Sequence, residues 1–71
     1  MKLVNWDLIV GVMQTELVDF VNHDISGETF YKIGVGLGIG PECRHLIKLG
    51  MERARKNARE ALRRRAVVVT A

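Results

Sequence analysis

"IGVGLGIGPECRH", residues 33–45, is the stretch whose reading decides the fold. Glycine stands at every second position from Gly34 to Gly40, and Pro41-Glu42-Cys43-Arg44-His45 follows. Three readings compete: a loop that cradles a phosphate, a strand with one bare face, and a slack hinge. Phosphate loops present bare N–H groups at a helix N-terminus. The P-loop pattern then needs a lysine and a serine or threonine, where this chain has Pro41 and Glu42. The dinucleotide pattern needs glycine at the first, third and sixth positions; counted from Gly34, the sixth is Ile39. Pro41 removes an N–H, and Glu42 puts a negative charge where the anion would sit. A nucleotide-binding or sequestering oligomer is therefore the weakest reading of function.

The strand reading fits the pattern better. At a period of two, Tyr31, Ile33, Val35, Leu37 and Ile39 share one face, while Gly34, Gly36 and Gly38 leave the other bare. A bare face lets another backbone or a helix approach closely. Interior glycines weaken an element by roughly 0.5–1 kcal/mol each relative to alanine. Contact across the bare face must offset that loss.

On either side the pattern is helical. Asn5 is a capping residue ahead of Trp6, and Asp7 suits the positive end of the helix dipole. Trp6, Ile9, Val10, Met13, Leu17, Phe20 and Val21 recur at helical spacing, with Leu8 and Val12 as a second apolar strip. Two strips predict contacts on two sides. On the other side, Gly40-Pro41-Glu42 reads as a helix start, and only Gly50 interrupts the pattern before Arg65. The apolar stripe there is Cys43, Ile47, Gly50, Met51, Ala54, Ala58, Ala61 and Leu62, with a heptad-like seam of small residues. About 25 helical residues make a rod of roughly 37 Å. A compact chain of this size has a radius of gyration of only ~11 Å, so the rod should overhang and pack on another subunit. "AVVVTA" closes the chain as a β-branched strand in search of a partner.

The expected fold is thus α+β in a single small domain, residues 1–71: helix 5–24, strand 29–39, helix 41–65 and strand 66–70. All-α with an extended glycine loop is the runner-up. A chain of 71 residues has a marginal core of its own. Its one cysteine, Cys43, forms no intrachain disulfide, and two histidines with one cysteine do not fill a zinc site, so no metal and no cofactor is expected. Self-association is the staple that remains. The expected interface residues are Leu8, Val12, Gly34, Gly36, Gly38, Ile47, Met51, Ala54, Ala58, Ala61, Val67, Val68 and Val69.

Charge is unevenly placed. Residues 1–40 carry two lysines against five acids, a balance of −3; residues 41–71 carry nine Lys/Arg against three acids, a balance of +6. Such asymmetry points to a polyanion, or to acidic-to-basic packing between halves or between chains. Lys48, Arg55, Lys56, Arg59 and Arg63 line up opposite the apolar stripe of the second helix, and Arg64 and Arg65 extend the row. They are the candidate residues for binding nucleic acid or an acidic protein surface. Cys43, His23, Asp24 and His45 have no spacing that argues for catalysis, so an enzyme is not expected.

No signal peptide is expected, because Asp7 interrupts the first apolar run, and no stretch approaches a membrane span. The expectation is a cytoplasmic or otherwise intracellular protein, or a virion component. Its leading function is that of an oligomeric assembly subunit of a larger complex or shell. A nucleic-acid-binding module is the alternative.

Overall fold

The computed structural model describes residues 4–69, which form four helices and no strand. They are α1 (Trp6–Val21), α2 (Gly27–Gly36), α3 (Gly40–Ile47) and α4 (Met51–Arg64). The α+β expectation is overturned, and so is the extended loop of its runner-up. Residues 29–39 lie mostly in α2. Residues 67–69 have no regular structure, and Thr70, the end of the expected last strand, lies outside the described residues.

Local chemistry accounts for α2. The Ser26 hydroxyl accepts a hydrogen bond from the Thr29 N–H at 3.1 Å, closing the N-terminus. At the other end Ile39 N–H donates to Gly34 O and Gly38 N–H to Val35 O, with Gly38 at φ +82°. That pair of bonds is the Schellman stop, and its left-handed position is where a glycine belongs. Gly27, Phe30 and Gly34 form the buried face, spaced three and four apart. The alternation of glycines thus has no strand behind it.

The expected long second helix is two helices. Gly50 takes φ +93°, a left-handed value that ends the run between α3 and α4. The longest principal extent is 26 Å and the radius of gyration 10.6 Å, so no 37-Å rod overhangs. The first helix stops at Val21, three residues short of expectation. Its end is again a Schellman stop, with Asp24 N–H donating to Asp19 O, His23 N–H to Phe20 O, and His23 at φ +63°.

Packing follows two pairings: α1 lies on α4 and α2 lies on α3. Ile9, Val10, Met13, Leu17, Phe20 and Val21 of α1 are buried, six of the seven residues of the expected face. They meet Ala54, Ala58 and Leu62 of α4 and Phe30, Cys43 and Leu46 of the other pair in one core. Met13 leaves helical φ/ψ, yet residues on both sides of this kink remain buried. Phe20 and Phe30 stack with ring centroids 4.9 Å apart and tie the two pairs together.

Candidate functional site: a basic face on α4

The helix that carries most of the cations is built on alanine. Ala54, Ala58 and Ala61 turn inward together with Leu62, which leaves Lys56, Arg59 and Arg63 exposed on the opposite side. Arg53 and Arg64 lie on one flank of that row, beside Glu60, by the 100° step of the helix. Among the described residues, no carboxylate comes within ion-pair distance of Lys56, Arg59, Arg63 or Arg64.

Two of the expected binding residues are occupied inside the fold. Arg55 Nε donates to the Phe20 carbonyl at 2.9 Å, and its guanidinium sits 4.6 Å from the centre of the Phe20 ring. It therefore caps the carbonyl end of α1, where a cation is favoured by the dipole. Arg65 pairs with Asp7 in the first turn of α1 and reaches back to the Ala61 carbonyl. A third, Lys48, stands at the end of α3 and not on the α4 row, because Gly50 separates the two helices. Of the expected residues, Lys56, Arg59, Arg63 and Arg64 remain available to a partner, with Arg53 exposed on the same flank as Arg64.

Shallow grooves flank this row. Val21, His23, Glu52, Lys56 and Arg59 line one of about 260 Å³. Arg59 and Arg63, with Asn22 and Val69, line an adjoining one of about 210 Å³. Asn22 Oδ1 is buried there without a hydrogen-bond partner. The turn after α1 thus sets the polar Asn22 and His23 beside the cations, and the half-buried Val69 adds an apolar edge.

The expected interface residues scatter. Ala54, Ala58 and Ala61 are wholly inside the chain's own core, and Gly34 is buried against Cys43. These four are corrected from interface to core: no neighbouring chain reaches them without opening the fold. Leu8, Ile47, Met51, Val67 and Val69 are half-buried and pack on that core. Val12 at 43% and Val68 at 79% remain exposed, as do Gly36 and Gly38.

Cys43 is fully buried and donates to Met13 Sδ at 3.4 Å. Burial first, and the nearby Glu42 charge second, push its thiol up to about 11. A thiol held protonated is inert as a nucleophile. Among the described residues, His, Cys, Asp and Glu form no metal-ligand cluster, and no helix is long and apolar enough to cross a membrane.

Sequence reasoning missed one feature of the surface. Arg44 and His45 of α3 join Lys48 along a larger groove of about 690 Å³ between α2 and α3. The signal was the i, i+4 spacing of Arg44 and Lys48, hidden because residues 29–39 were read as a strand. No protein-family model matches this chain, and neither a curated protein nor a solved structure does.

Proposed function

We propose that this chain is a non-enzymatic assembly subunit whose basic α4 face docks on the acid-bearing half of a neighbouring copy. The observation that carries this reading is the uncancelled charge. Within the described residues Arg65–Asp7 is the one ion pair between the two oppositely charged halves, while Lys56, Arg59, Arg63 and Arg64 stand unpaired. On the other half, Asp24 is exposed, and Glu16 and Asp19 are half-exposed. Two different faces of one chain that attract each other make a heterologous contact, which closes into a ring or continues as a filament. Each exposed pair contributes only ~0.2–1 kcal/mol, so several must act together and salt must weaken them. The half-buried Val69 beside the cations supplies an apolar edge of the kind a protein partner covers.

Sedimentation at tens of micromolar tests this. Oligomers should form in low salt and dissociate in high salt. Lys56→Glu/Arg59→Glu/Arg63→Glu should stay monomeric and folded. Mixing it with Glu16→Lys/Asp19→Lys/Asp24→Lys should restore association between the two variants. A wild-type monomer at every salt concentration, or charge-reversed variants that never recombine, overturns the reading.

The same unpaired row favours a second reading, nucleic-acid binding. In that case a 20-base-pair duplex binds the wild-type monomer with a steep salt slope. The triple charge reversal abolishes that binding whatever the duplex sequence.

A further inference from the structure

A groove of about 690 Å³ lies away from the α4 row, between α2 and α3. Tyr31 and Val35 of α2 form one wall, and Pro41, Arg44, His45 and Lys48 of α3 form the other. No acidic residue lines it. Val35 is 51% exposed, and Arg44 and Lys48 are exposed as well. The groove is therefore cationic along one wall and apolar along the other, with room for about 690 Å³.

We infer that this groove binds a short extended peptide of the pattern acid–apolar–acid, carried by another protein. The spacing argues for it. Arg44 and Lys48 are one helical turn apart on the same side of α3, so their charges repeat at roughly 6 Å. In an extended peptide, residues two apart face the same way at about 6.6–7 Å. Two acids so placed meet Arg44 and Lys48 together. The residue between them points the other way and meets Val35 and Tyr31 on the apolar wall. None of these 71 residues forms an acid–x–acid triplet, and the occupant proposed is a segment of a different protein.

The walls select against a nucleic acid. Tyr31 is half-buried and is the only aromatic in the groove, whereas single strands use exposed aromatic faces for successive bases. The start of α3 is no phosphate seat either: Pro41 has no N–H, and Glu42 places a carboxylate in its first turn. Aliphatic Val35 and Pro41 instead match an aliphatic side chain.

The test uses the full chain, uniformly labelled with nitrogen-15, titrated with the capped peptide Gly-Ser-Glu-Val-Glu-Ser-Gly. Saturable amide shifts are expected over residues 31–35 and 42–48. The twin with both glutamates changed to glutamine should bind about tenfold more weakly, and the valine-to-serine twin about threefold more weakly. Arg44→Gln/Lys48→Gln should keep the wild-type melting temperature and lose about tenfold in peptide affinity. The inference is overturned by no saturable shift, by equal binding of the glutamine twin, or by shifts confined to residues 56–63. A ten-nucleotide oligothymidine that displaces the peptide and binds this groove more tightly also overturns it. Repeating the titration on Lys56→Glu/Arg59→Glu/Arg63→Glu separates the two proposals. Peptide binding survives there if the groove acts on its own, whatever becomes of assembly through α4.

Discussion

The α1–α4 pair and the α2–α3 pair both bring helices close with small residues, but one uses alanine and the other glycine. On α4, Ala54, Ala58 and Ala61 lie under the large side chains of the core and keep full helix propensity. On α2, Gly34 lies against Cys43 so closely that a Cβ there would stand 2.3 Å from its Sγ. Glycine permits that approach at about 1 kcal/mol of helix propensity per residue. The alanine pair can form its helices from local preference and then pack. The glycine pair depends on its caps and on its neighbour. The first should tolerate changes on its outer face and fail when its inner face is charged. The second should respond to single methyl groups.

Ala58→Glu is the harshest break. Ala58 is completely buried, in a core that holds no buried polar or charged side chain. An uncompensated buried charge costs ~3–5 kcal/mol, about the whole stability expected of so small a core. The variant should show no cooperative thermal transition by circular dichroism. Val12→Glu, on the exposed side of α1, should shift stability by less than about 0.5 kcal/mol. A native-like melt for Ala58→Glu would mean that α1 and α4 do not pack through their small residues.

Gly34→Val acts on the other pair. Overpacking costs ~1–3 kcal/mol, and the β-branch adds strain in a helix. In a domain of this size that lowers the melting temperature by roughly 5–20 °C. Cys43→Ala should restore part of the loss, since the sulfur is the nearest obstruction while Cys43 Cβ would still stand 3.1 Å away. Equal stability of the single and double variants would remove the Gly34–Cys43 contact as the reason for the glycine.

The difference between the pairs also explains what could be read from the chain. The faces of α1 and α4 were legible because apolar and alanine positions there follow burial: Ile9 through Val21, and Ala54, Ala58, Ala61 and Leu62. In α2 the pattern misleads. Apart from the buried Phe30, its large apolar residues Tyr31, Ile33 and Val35 are half-buried or exposed, while two of its three buried positions are glycine. Exposed apolar residues and buried bare backbone together imitate a strand of period two. The usable signals were at the ends, in Ser26 ahead of Gly27-Glu28-Thr29 and in Gly38 ahead of Ile39. Gly50 lies in step with the apolar stripe, so the row of cations looked continuous from Lys48 to Arg63. Only its left-handed backbone shows that Lys48 belongs to another surface. The roles of Arg55 and Arg65 depend on where α1 lies, which spacing along α4 does not reveal.

Those roles give a test of intermediate size. Arg55→Gln removes a charged hydrogen bond to Phe20 O and the stacking on its ring. A loss of ~1–2 kcal/mol is expected, read as a fall in the denaturant midpoint without a change in slope. Arg63→Gln, on the exposed row, should leave the midpoint within about 0.5 kcal/mol of wild type. Matching losses for the two would place Arg63 inside the fold as well.

The smallest effects sharpen the contrast from the opposite direction, because each pair holds one residue that suits the other. Gly36 is exposed near the end of α2, and a Cβ added there meets nothing within 4 Å. Gly36→Ala therefore returns helix propensity without a clash and should stabilise by roughly 0.5–1 kcal/mol. The end of α4 shows the reverse. Val67 N–H donates to Leu62 O and Ala66 N–H to Arg63 O, the same stop that closes α2, but Ala66 holds the left-handed position at φ +55°. Glycine occupies the equivalent place at Gly38 without steric cost. Ala66→Gly removes a left-handed penalty of about 1–2 kcal/mol, part of which returns as lost chain entropy on folding. The net gain should be a few tenths to 1 kcal/mol, or a rise of a few degrees in melting temperature. The two sites are independent, so their gains should add in the double variant. A loss from Gly36→Ala would mean that the open side of α2 is covered by something. A loss from Ala66→Gly would mean that α4 does not end in the left-handed stop that turns Val67 back onto the core.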